Sequence, residues 1–501
     1  MAEGGNDGRE HAAVTYSTAS GVCAHSASTA RGLEMRYHGA AEIRGIDCPR
    51  SRYYDSGRFG RIFPLLPPFN ADREKLVALG STGGPMDPKD QPPPAQPSAD
   101  NKDNPDGLPA GFTFLGQFID HDVTFDPTSS LERQVDPEAV SNFRTPTLEL
   151  DHVYGAGPGA SPHLYQRGDS SKLLIGTDTS GGRTDLPRNP EDVALIGDPR
   201  NDENLIVSQL HLAFIKFHNA TVDHVRNDGV PARDVFQDAQ RLVRWHYQWI
   251  IVHEFLPHIC GQETIDEILK TSRKFYNWRN EPFIPVEFSV AAYRFGHSQV
   301  RPGYRISEKF AASIFAASQS TQDSGLPNDL SGGRKIRPEQ VIDWKGFFAI
   351  GGSQPQISKA VDTKLSSALL NLPFPTGTPE DPKSLASRNL LRHITFGLPT
   401  GQDVARAMRI ERLSRDELSD LRDLGFDSHT PLWFYVLKEA ELRSRGAHLG
   451  PVGGRIVGEV LIGLLEGDPL SYLRANREWT PSFGSDGNFS MADLLQFAGV
   501  A

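Results

Sequence analysis

At 501 residues, 38% apolar and 23% charged, with a formal net charge of -11, the chain has the balance of a soluble globular protein with length for a large core. The acidic balance gives no electrostatic reason to bind nucleic acid or an anionic membrane. A mean hydropathy of -0.42, with no run near roughly 18 apolar residues, predicts no transmembrane helix.

Three cysteines, Cys23, Cys48 and Cys260, are too few for a disulfide framework and suit a reducing compartment. No basic region followed by an apolar run opens the sequence, so a cytoplasmic location is expected, with non-classical export left open. Residues 1–35, rich in Gly, Ser, Ala and Thr, read as a mobile leader, and 36–501 as one domain. Residues 58–69 are apolar and proline-studded without helical spacing, like an extended arm laid over a core. Residues 85–109 read as an exposed Pro-rich connection. Helix resumes at Phe112.

From there the apolar period is mostly helical. Residues 204–219 are apolar on nearly all sides and predict a buried helix. A second long helix is expected over 232–255, stopped by Pro257, and two more over 388–392 and 452–465. No long strand alternation occurs, so the expected class is mainly α with few short strands.

Three stretches carry side chains that packing alone explains poorly. In Gly116-Gln117-Phe118-Ile119-Asp120-His121-Asp122, Gln117 and His121 are four apart and share a helix face, with Asp120 and Asp122 flanking the histidine. Taken alone, the stretch equally suits a helix end with an acidic edge. Gly197-Asp198-Pro199-Arg200-Asn201-Asp202-Glu203 places Arg200 just before the buried helix, where pairing with Asp202 or Glu203 is the bland alternative. In Tyr293-Arg294-Phe295-Gly296-His297, a glycine directly before the histidine admits a bulky planar group. By contrast, His253 and His258 are five apart with Pro257 between them, which removes the i, i+4 pairing a zinc hydrolase needs. His211 and His218 read as structural core histidines.

Taken in order, these stretches resemble the animal-type haem peroxidases of the peroxidase and cyclooxygenase superfamily, closest to their leaderless bacterial branch. Two further motifs join them: Arg388-Asn389-Leu390-Leu391-Arg392 with Gly397-Leu398-Pro399, and Thr147-Leu148-Glu149-Leu150-Asp151 with Val153-Tyr154-Gly155. The resemblance runs over about residues 57–473. It implies a large helical peroxidase fold around haem b, free or ester-linked. His297 would bind the iron, and Asn389 would accept a hydrogen bond from its other nitrogen. His121 would pass a proton between the peroxide oxygens, Arg200 would stabilise the charge that develops, and Gln117 would hold water or a small anion. A ferryl haem would result, ready to oxidise phenolic or similar small donors. Arg294 and Arg392 match arginines near the haem propionates. Asp120 and Glu203 match carboxylates that in parts of the family form ester bonds to the haem. Asn204 stands where the most oxidising relative has a methionine, so no sulfonium link is expected.

The resemblance also implies a calcium ion held by Asp122, Thr147, Glu149 through its carbonyl, and Asp151. Val153 replaces the usual serine ligand. A fatty-acid dioxygenase is the alternative enzyme, but such enzymes carry a tyrosine three residues before the proximal histidine. Here that position is Arg294, and Tyr293 lies one residue further. A non-catalytic haem-binding protein is the other alternative; the presence of both His121 and Arg200 speaks against it.

Overall fold

Helical segments carry most of the described chain, and their ends follow local capping chemistry. The computed structural model describes residues 57–89, 101–125, 141–142, 144–278, 281–315, 329–373 and 381–501. The expected leader and residues 90–100 of the Pro-rich connection lie outside them. Gly57–Ala501 is one compact unit.

The helices that build the interior are α1 (Arg73–Gly80), α2 (Gly111–Val123), α3 (Leu205–Asn227), α4 (Val235–Ile250), α5 (Leu385–Thr395), α6 (Leu432–Arg443) and α7 (Pro451–Gly467). Asp72, Asn204 and Ser384 each accept a backbone N–H at the start of α1, α3 and α5, satisfying donors that a helix start leaves open. The mainly helical class is as expected. Strands are short: Gly57–Gly60 lies between Ser141–Asn142 and Ile284–Pro285 in one sheet, and two hairpins pair Tyr165–Gln166 with Asp169–Leu173 and Gly303–Arg305 with Ala311–Ser313.

Two helix boundaries differ from expectation for physical reasons. The helix expected over 204–219 continues to Asn227, because Val222 and Val225 bury against Val235 and Ala239 while Asp223 and Arg226 face outward. Pro257 does not stop the second helix. After α4 the chain makes a π-helical turn, Ile251–Phe255, and helix runs on through Pro257 in Leu256–Cys260. Gly261, at φ 82°, ends that segment.

The N-terminal arm is pinned rather than loose. Arg61 donates to the carbonyls of Gly397 (2.9 Å) and Phe396 (2.6 Å), and Glu287 accepts from the Ile62 and Phe63 amides at 3.0 and 3.1 Å. Glu439 of α6 accepts from the amides of Val452 (2.9 Å) and Gly453 (3.3 Å), joining α6 to the first turn of α7. At the start of α2, a Cβ on Gly111 would stand 2.4 Å from the Phe348 ring, so only glycine permits that approach.

Candidate active site

The sequence of α2 sorts its side chains by helical period. Leu115, Phe118 and Ile119 are buried in the core, whereas Phe114, Gln117, Asp120 and His121 reach a cavity of about 660 Å³. The same cavity is lined by Tyr293, Arg294, Gly296 and His297, brought there by a π-helical turn, Glu287–Ala291, that passes into a 3-10 helix, Ala292–His297. Glu203 and Asn204 close one end. His121 and His297, 176 residues apart in sequence, thus share one cavity.

His121 is set by two residues whose roles sequence reasoning missed. Its Nδ1–H donates to Asn201 Oδ1 at 2.7 Å, and Asn201 Nδ2 donates to His211 Nδ1 at 3.0 Å. His211 therefore fixes which way the Asn201 amide faces, and Asn201 fixes the tautomer of His121, leaving Nε2 with its lone pair. Burial and then the nearby Arg200 charge lower His121 to about 4, so it is neutral near pH 7. Asn201 lay within a stretch already singled out; His211 carried no signal beyond its place on a buried helix.

Arg200 departs from expectation. Its guanidinium lies behind His121, donating to Asp198, to the His121 carbonyl (3.1 Å) and to the Thr124 carbonyl (2.5 Å), and it stacks over Phe125 at 4.7 Å. It is not among the residues lining the cavity. Buried Asp198, also paired with Arg144 at 2.5 Å, draws it away. Gln117 donates to Glu203 and accepts from Asn204 Nδ2 at 3.3 Å. Although half of the Glu203 side chain stays accessible, the surrounding walls push it up to about 7. Thr124 Oγ1 donates to Asp120 Oδ1 at 3.0 Å.

On the other wall, Asn389 approaches His297 as expected but with its amide reversed. Arg294 Nη1 donates to Asn389 Oδ1 at 3.0 Å, so Nδ2 donates to His297 Nδ1 at 2.7 Å and Nε2 carries the proton. Turning the amide over would exchange its two ends and free Nε2. Burial and Arg294 hold His297 down at about 3, while burial and Arg392 lower Arg294 to about 10. Arg392 does not line the cavity. Tyr293 donates to the Gly116 carbonyl at 3.2 Å.

A second buried cluster lies behind α2. Ligand atoms of Asp122, Asp151 and His152 fall within 4.8 Å of one another. Burial pushes both carboxyls up to about 7. Buried Thr147 Oγ1 has no hydrogen-bond partner. These donors fit a hard cation. The Glu149 carbonyl accepts from Arg244 Nε at 2.6 Å, which leaves one of its two lone pairs open. Asp122 also accepts from His152 Nδ1 at 2.8 Å, and Asp151 pairs with Arg144 at 3.0 Å, neither of which sequence reasoning anticipated.

Residues 130–428 match the family model of the animal haem peroxidases. The chain belongs to the animal haem peroxidase family. The match begins beyond α2, so the placement of Gln117 and His121 rests on the structure. Similar proteins include the peroxidasin homologue pxn-2 of Caenorhabditis elegans, 25% identical over 65% of this chain and 24% of that protein. Thyroid peroxidase of Mus musculus is 25% identical over 68% of this chain and 39% of its own length. The chain thus spans well under half of these curated relatives. Among solved structures, peroxidase A of Dictyostelium discoideum superposes with a TM-score of 0.60 at 16% identity, covering 89% of this chain and 93% of that one. The fatty acid alpha-dioxygenase of Oryza sativa gives 0.56 at 16% identity, over 86% and 77%. At such identities the likeness is one of fold. Among the described residues, no helix is long and apolar enough to cross a membrane.

Proposed function

We propose that this chain is a haem-dependent peroxidase that uses hydrogen peroxide to oxidise small phenolic or similar donors. One observation carries the reading: two histidines face one cavity, and one of them is held neutral with a free Nε2. The cavity suits haem b in size and character. Its volume falls in the range of small-molecule sites, much of its wall is apolar, and nothing stands within 4 Å of where a Cβ on Gly296 would be.

His297 would hold the iron through Nε2, with the Asn389 amide turned so that Oδ1 accepts from Nδ1. Arg294, on the cavity wall, would pair with a propionate, and Asp120 and Glu203 are the candidates for ester links. Haem, when bound, supplies redox-active iron able to accept the two oxidising equivalents of peroxide. The chain's own residues handle the proton: His121 Nε2 takes it from peroxide and returns it to the oxygen that departs as water. From behind, Arg200 helps keep that imidazole neutral, and Gln117 orders water or a small anion beside it. Asp122, Thr147, Asp151 and the Glu149 carbonyl would bind calcium and tie α2 to the 147–151 loop.

Two substitutions test these roles. His121→Ala keeps the haem absorption spectrum and loses peroxide activation, whereas His297→Ala loses the haem. Full turnover in both variants overturns the assignment. A second reading, fatty-acid oxygenation, draws support from Tyr293, which the irregular 287–297 segment brings to the cavity wall. Rapid oxygen uptake with linoleate in the absence of added peroxide would favour it.

A further inference from the structure

The π-helical turn Ile251–Phe255 faces two ways. On its inner side Phe255 lies 6.5 Å, ring to ring, from Tyr293 on the cavity wall. On its outer side His253 stacks on Trp249 at 3.8 Å, and His253 Nε2 lies 3.1 Å from the hydroxyl of Tyr472. Trp479 closes the group, 6.0 Å from Trp249 and 5.7 Å from Tyr472. Tyr472 is 1% exposed, His253 is exposed, and both tryptophans are half-buried. The buried phenol is therefore screened from water by rings that a large molecule can touch. His253 and Phe255 lie two residues apart on that turn, so one helical turn touches both the group and the cavity wall.

Packing alone explains a buried tyrosine bonded to a histidine. It does not explain why three further oxidisable rings, Trp249, Tyr472 and Trp479, gather around His253 on the turn that also carries the cavity's neighbour. Extra-residue turns of this kind are frequent at functional sites.

We propose that the Tyr472–His253 pair, with Trp249 and Trp479, is a second oxidation site for bulky electron-rich aromatic donors, phenols or arylamines too large for the cavity. The proposal rests on the peroxidase reading above. Tyr472 gives one electron inward, past Phe255 and Tyr293, to the oxidising equivalents that peroxide supplies in the cavity. Its hydroxyl proton passes to His253 Nε2, and the exposed imidazolium sheds a proton to water. A neutral phenoxyl remains. A donor phenol touching the tryptophans returns one electron and its own proton balances the one lost, so two phenols and one peroxide give two phenoxyl radicals and two waters.

The test uses the haem-loaded full chain and one equivalent of peroxide with a nitroso spin trap, followed by mass spectrometry of its peptides. Wild type is expected to carry the adduct on Tyr472. Tyr472→Phe is expected to lose it, to lose oxidation of a phenol coupled to dextran, and to keep oxidation of free phenol. His253→Phe preserves stacking on Trp249 but accepts no proton, and its adduct is expected on Trp249 or Trp479 instead. Wild type that oxidises free phenol without labelling Tyr472, Trp249 or Trp479 overturns this site alone. So does Tyr472→Phe that oxidises the dextran-coupled phenol normally. A wild type that consumes no peroxide overturns the peroxidase reading and this site with it.

Discussion

Replacing Asn201 by alanine probes the part of the site that sequence motifs did not reveal. Asn201 is fully buried, and its amide serves both His121, at 2.7 Å, and His211, at 3.0 Å. Alanine removes both bonds and leaves two buried imidazole nitrogens unpaired. At about 1–3 kcal/mol for each unsatisfied group, the fold should lose about 2–6 kcal/mol. Catalysis should suffer through the tautomer, because nothing then holds the proton on His121 Nδ1. If the lost bond is worth about 1.4 kcal/mol in tautomer preference, the reaction with peroxide slows about tenfold.

Asn201→Asp separates the two effects. Its carboxylate still accepts from Nδ1, but its charge raises His121 above about 4 and it cannot donate to His211. A base works only when unprotonated. The rate in wild type should therefore hold down to about pH 4 and fall below it, and the Asp variant should lose rate at higher pH. Stopped-flow absorbance of haem-loaded protein mixed with peroxide, across pH, measures both. A folded Asn201→Ala chain that reacts as fast as wild type would refute the role given to this amide.

Other outcomes follow from the buried charges. Chelation of calcium should lower the unfolding temperature, since Asp122, Thr147 and Asp151 would lose their shared cation; equal midpoints in calcium and in chelator would exclude the ion. Arg144→Met strands Asp151 and leaves Asp198 with Arg200 alone, costing about 3–5 kcal/mol as broken buried pairs do, and added calcium should recover part of it in thermal melts. Glu439 is 1% exposed and is pushed up by burial to about 7 from 4.5. Because the folded form binds this proton more tightly, its contribution is full below about pH 4.5 and is lost as pH rises through 7. At 1.36 kcal/mol per pKa unit that loss is about 3 kcal/mol, so urea unfolding of wild type should weaken from pH 5 to pH 8 more than that of Glu439→Gln.

Local information went far in this chain. Helical period marked the buried stretch from residue 204, and the i, i+4 spacing of Gln117 and His121 set both on one face before any tertiary contact was known. The boundaries failed where neighbours intervened: Val222 and Val225 extended α3 by finding partners on α4, and a π-helical turn absorbed Pro257.

Residue identity and helical spacing by themselves determined the fold class, the family resemblance, and the pair His121 and His297. Tertiary structure alone decided that these two share a cavity, that Asp198 pulls Arg200 behind His121, that Arg294 turns the Asn389 amide, and that Asn201 and His211 set the distal proton. The reason is physical. Helix formation is settled within a few turns of chain, whereas the direction of a guanidinium, an amide or an imidazole is settled by whichever partners the fold delivers from far along the sequence.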